Sequence, residues 1–127
     1  MIASLLLSTS LMLTAQLAKP GDDDDGPYTE PYPVESLAEI MGSLHAIAFN
    51  CAGRNTQDWR DAMVELLDHE APTRGAHRER LISRFNQGFR DIDNRRVRCG
   101  AEAEFTQQRL AARGQVLSEQ LRRTYLD

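Results

Sequence analysis

From Pro33 onward apolar side chains return every third or fourth residue in four separate stretches, the spacing of a helix with one buried face. Val34, Leu37, Met41, Leu44, Ala48 and Cys51 form the first such seam, and Gly53 marks its end. A second helix is predicted to open at Asn55 or Thr56, either of which can cap it, with Asp58 near the positive end of the helix dipole. Trp59, Met63, Leu66 and Leu67 are its expected buried face, and Ala71-Pro72 ends it, because the residue before a proline is pushed out of the helical region. No strand-like alternation occurs after residue 33.

The third stretch, Arg78 to Cys99, carries the strongest contrast between faces. Ile82, Phe85, Phe89, Ile92 and Cys99, with Leu81 alongside, are predicted to be buried. Arg78, Arg80, Arg84, Arg90, Arg95, Arg96 and Arg98 outnumber Glu79, Asp91 and Asp93 on the other side. Thr73 can cap this helix, its early turns around Gly75 and His77 are expected to fray, and Gly100 is a natural C-terminal cap. Gly88, between the two phenylalanines, costs about 1 kcal/mol against Ala in a helix, so a closely packed neighbour is expected there. A fourth helix shows Ala103, Leu110, Gly114, Leu117, Leu121 and Tyr125 on one face.

Short connections make consecutive helices antiparallel neighbours, so the expected fold is an all-α, four-helix up-down bundle. Helices one and three then run parallel. Cys51 and Cys99, at the C-terminal ends of these two helices, fall at the same end of the bundle and are predicted to form one disulfide. It closes a loop of about 48 residues and is worth about 4 kcal/mol in the chain-entropy model.

The N-terminal quarter has a different character. Residues 1–18 contain no charged side chain and are too few and too serine-rich for a membrane span, which needs about 20 apolar residues. They read as a secretory signal peptide, which leaves no stable membrane span after cleavage and places the protein in the periplasm. Residues 19–33 combine four aspartates with four prolines and read as an acidic, disordered linker, with the helical domain following at 34–127. The net charge of −4 resides in the part preceding the domain, where Arg balances Asp plus Glu. That balance excludes a general nucleic-acid binder, and an oxidising compartment suits the cysteine pair.

YPVESLAEIMGSLH, WRDAMVELLDHEAP and RERLISRFNQGFRDI, closed by Cys99, resemble a family of small exported alphaproteobacterial proteins known as a domain of unknown function. The resemblance runs from about Tyr32 to Tyr125. It departs at Gln87, where the family pattern has Arg. It implies an envelope location and a helical domain with a cysteine pair, and it implies no activity.

Candidate chemistry is sparse. Asp68, His69 and Glu70 are consecutive on a helix and point apart, His77 has no histidine one turn away, and the cysteines lack C-x-x-C spacing. No metal, cofactor or catalytic residue is therefore assigned. His45 flanks the first seam and is a candidate ligand-binding or buried polar group. Arg84, Asn86, Gln87 and Arg90 are the candidate partner-binding surface, suited to an envelope protein or an anionic envelope component. The expected function is a periplasmic, non-enzymatic binding or regulatory module. The alternative is a small metal-dependent or acid/base enzyme using His45 with nearby carboxylates.

Overall fold

One helix, the most apolar of four, runs through the middle of the domain and the other three are laid around it. The computed structural model describes residues 33–126, so the signal peptide expected over 1–18 and nearly all of the linker expected over 19–33 lie outside the described residues. The helices are α1 (Pro33–Cys51), α2 (Asp58–Glu70), α3 (Ala76–Arg95) and α4 (Ala101–Leu126). Among the described residues there is no strand.

The expected up-down alternation is present, and the side-chain pairs show it. Between α1 and α3, Arg80 pairs with Glu35 at 3.3 Å and Arg84 with Glu39 at 3.0 Å, while Asn50 donates to Asp93 at 2.8 Å. Positions on the two helices therefore increase together, and α1 and α3 are parallel. The disulfide between Cys51 and Cys99 closes the same end. Against α1, α2 runs the other way, with Met63, Leu67 and Ala71 meeting Val34, Ala38 and Met41. α4 is also antiparallel to α1: Ala103 lies by Ala46 and Ile47, and Leu117 by Ile40 and Leu44.

The packing is centred rather than square. α1 touches all three other helices, its most extensive partner is α3, and α4 approaches α2 and α3 only through side chains. As a result every residue from Ile40 to Ile47 is buried, not only the seam at every third or fourth position. Cys51, placed on that seam by its spacing, is exposed because it lies in the last turn beyond the surrounding helices.

Two glycines allow α1 and α3 to approach this closely. A Cβ built on Gly42 would fall on the Phe85 carbonyl, and one built on Gly88 would fall on the Glu39 carbonyl. The close neighbour expected at Gly88 is thus the backbone of α1. Ser43, buried at the same crossing, donates its hydroxyl to the Gly88 carbonyl at 3.1 Å, which satisfies a polar group that would otherwise be costly to bury.

Several boundaries differ from the spacing argument. α2 starts at Asp58, with Gln57 rather than Asn55 or Thr56 at the N-cap and no side-chain cap bond. The Thr56 N–H is already used in a turn to Gly53 O, and Asp58 and Asp61 supply negative charge to the first turn instead. α3 begins at Ala76 after an N-cap at Gly75. It stops at Arg95 because Arg96 adopts a left-handed conformation, φ 51°, with its N–H bonded to Asp93 O. Cys99 is accordingly in the α3–α4 connection, exposed, rather than on a helical apolar face. Ile82, expected in the core, is 40 % exposed, and Tyr125 is 62 % exposed with its hydroxyl donated to Glu70 at 2.7 Å.

Candidate functional site

Because α1 is ringed by three helices, three grooves run along it. The first lies over α1 between α2 and α3. It has a volume of about 490 Å³ and is lined by His45, Arg60, Met63, Leu67, Ile82, Phe85, Asn86 and Phe89. Leu67 and Met63 come from the buried stripe of α2 and Phe85 from that of α3, with the partly buried Phe89 one turn on, so the same periodicity that builds the core builds an apolar wall. Ile82 sits on this wall, which explains its exposure: the α2–α3 interface is slight, and the two helices splay apart here.

His45 lies at the floor, 7 % exposed. Its ring is surrounded by aromatic rings, with centroids 6.0 Å from Phe49, 5.7 Å from Phe85 and 5.6 Å from Phe89. Its Nδ1 is buried and has no hydrogen-bond partner among the described residues. Burial, and secondarily the nearby Arg60 guanidinium, hold the imidazole below its usual pKa of 6.5, so it is neutral at pH 7. Among the described residues, no carboxylate lines this groove. Arg60 and Asn86, on the two walls, form no ion pair or side-chain hydrogen bond among the described residues. An apolar pocket with a few converging polar groups and one perturbed titratable residue is the usual form of a small-molecule site.

The second groove, between α2 and α4, is the most apolar. It has about 590 Å³ and is walled by Trp59, Leu66, Leu37, Leu44 and Leu110, with the Tyr125–Glu70 hydrogen bond joining α4 to α2. The third, between α3 and α4, holds about 620 Å³ and is lined by Arg84, Arg95, Arg109 and Arg113 together with Glu39 and Asp91.

The residues singled out from the sequence are divided among these places. His45 and Asn86 come together in the first groove. Arg84 lies on the opposite flank of α3, in the third groove, where Glu39 holds its guanidinium. Gln87 and Arg90 are exposed and line none of the three grooves. At 100° per residue Asn86, Arg90, Gln87 and Arg84 fall in that order on an arc of about 160° of α3, with Asn86 and Arg84 at its two edges, lining different grooves. Arg60 was visible only as the partner of Trp59 in the motif, and its meeting with His45 depends on α2 docking antiparallel to α1. Among the described residues, no three His, Cys, Asp or Glu side chains converge as a metal ion would require. Likewise, no described helix is long and apolar enough to cross a membrane.

Fold and pocket together define a disulfide-linked, all-helical module built on one buried helix. The chain belongs to the family described as "Protein of unknown function (DUF2385)", whose model matches residues 27–125. No curated protein and no solved structure gives a significant match to it.

Proposed function

We propose that this protein is an exported, non-enzymatic binding module of the bacterial envelope whose site is the α1–α2–α3 pocket over His45. The observation that carries the reading is that His45, whose buried Nδ1 has no partner among the described residues, shares one apolar groove with the exposed Arg60 and Asn86. Their chemistry suits a small organic acid. An aromatic or short aliphatic body lies against Met63, Leu67, Phe85 and Phe89, and its carboxylate meets the Arg60 guanidinium and the Asn86 amide. Acid/base catalysis by His45 is disfavoured, since among the described residues no carboxylate lines the pocket to orient or relay a proton for it. A periplasmic location is supported by the exposed disulfide, which an oxidising compartment maintains.

The test is calorimetric titration of the oxidised protein with phenylacetate and octanoate as probes. Saturable binding is expected, weakened about tenfold or more by Arg60→Gln, which removes a charge-assisted contact of roughly 1.5–3 kcal/mol. Filling the groove with Met63→Trp should abolish it while helicity is retained. Absence of saturable binding by either probe, or affinity unchanged in Arg60→Gln, would overturn the assignment.

A further inference from the structure

The groove between α3 and α4 is separate from the pocket over His45 and has a different chemistry. Four guanidinium groups line it, Arg84 and Arg95 from α3 and Arg109 and Arg113 from α4, against two carboxylates, Glu39 and Asp91. Arg84 is engaged by Glu39 at 3.0 Å. Arg95 makes no ion pair among the described residues, and Asp91, one turn earlier on the same helix, does not neutralise it. The Arg109 guanidinium stands 5.8 Å over the Phe105 ring. Ser36 and Thr106 add hydroxyls to the same walls.

Arg95 on α3 and Thr106 and Arg109 on α4 line the same groove from its two sides. On α4, Arg109 and Arg113 are one turn, about 6 Å, apart. A lone carboxylate is satisfied by one bidentate arginine. Arg113 has an interaction of its own, and without it Arg84, Arg95 and Arg109 still outnumber Glu39 and Asp91, which suits an anion with more charge and more acceptor oxygens.

We infer that the α3–α4 groove is a second binding site, for a phosphate-bearing molecule, with Arg95 and Arg109 as its principal contacts. The groove's volume is of the size that takes a small ligand or a lipid headgroup. Phosphate oxygens bridge Arg95 and Arg109 across the two helices, and Arg84, held by Glu39, contributes field rather than a direct contact.

The experiment uses inorganic diphosphate as the free probe and vesicles of phosphatidylglycerol or phosphatidylcholine as the headgroup probe, all at constant ionic strength. Three proteins are compared: the oxidised parent, Arg95→Gln/Arg109→Gln, and Arg122→Gln. Arg122 pairs with Glu119 elsewhere on α4 and serves as a control for net charge. Saturable diphosphate binding that falls at least tenfold in the double variant and stays within twofold in Arg122→Gln supports the site with a free phosphate ligand. Sedimentation with phosphatidylglycerol vesicles alone, lost in the double variant, supports it with a headgroup as the source. The inference is overturned if neither probe binds, if the double variant binds as the parent does, or if Arg122→Gln weakens binding equally. Circular dichroism of each variant confirms helicity, and Arg95→Gln alone, at an exposed position, gives the same reading should the double variant unfold.

Discussion

At the residue scale the molecule turns on a neutral, largely buried histidine. The pKa of His45 is lowered in the folded chain, so the unfolded chain binds a proton that the native state resists. Stability is therefore fully present above about pH 6.5 and declines as pH falls below that value, because protonation favours the unfolded state. Urea denaturation across pH 7.5 to 5 should show this decline, and His45→Gln should flatten it; an identical pH profile in the variant would contradict the account. Removing the nearby positive charge with Arg60→Gln should move the His45 ring titration upward, measured by the ring-proton NMR shifts. His45 was recognisable in the sequence as a polar residue beside an apolar seam. Its surroundings were not, since Phe85 and Phe89 are forty or more positions away and reach it only through the parallel pairing of α1 and α3.

The helices carry a different lesson. The stripes of α2, α3 and α4 were legible because each has one buried face, and Met63, Leu67, Phe85, Ile92, Leu117 and Leu121 are all buried as their spacing implied. α1 was under-read. Its buried Ser36, Gly42, Ser43 and His45 interrupt the apolar pattern, and small or hydrogen-bonded polar residues are compatible with burial where backbones approach closely. The glycines make that contrast measurable. Gly42→Ala and Gly88→Ala place a methyl group on a neighbouring carbonyl, and each should lower unfolding free energy by about 1–3 kcal/mol or more through forced separation of α1 and α3. At Gly114 an added Cβ would meet only Ile40 at 3.5 Å and Leu37 at 3.8 Å. Gly114→Ala should therefore be neutral or stabilising by up to about 1 kcal/mol, the helix-propensity gain. Chemical denaturation separates the two cases, and equal effects at Gly42 and Gly114 would rule out the close crossing. Helix ends were less legible, as at Arg96, where a left-handed arginine rather than Gly100 ends α3.

For the whole molecule, the disulfide and the grooves matter most. Cys51 and Cys99 close 48 residues spanning α2 and α3, and reduction should cost about 4 kcal/mol by loop entropy. That is a large part of the 5–15 kcal/mol that typically separates folded from unfolded. Comparing urea midpoints of the oxidised protein and Cys51→Ser/Cys99→Ser tests it, with no change in midpoint as the contrary result. The cysteine pairing could be read from chain direction alone; the grooves could not, because they arise where α2, α3 and α4 meet one another only slightly around α1. The most direct measurement of the central claim is the titration of the His45 ring by NMR, with and without saturating phenylacetate. A carboxylate seated by Arg60 offsets the guanidinium charge and favours the imidazolium, so the account requires the His45 pKa to rise on binding and affinity to increase as pH falls. A His45 titration unaltered by phenylacetate would show that the pocket over this histidine is not the binding site.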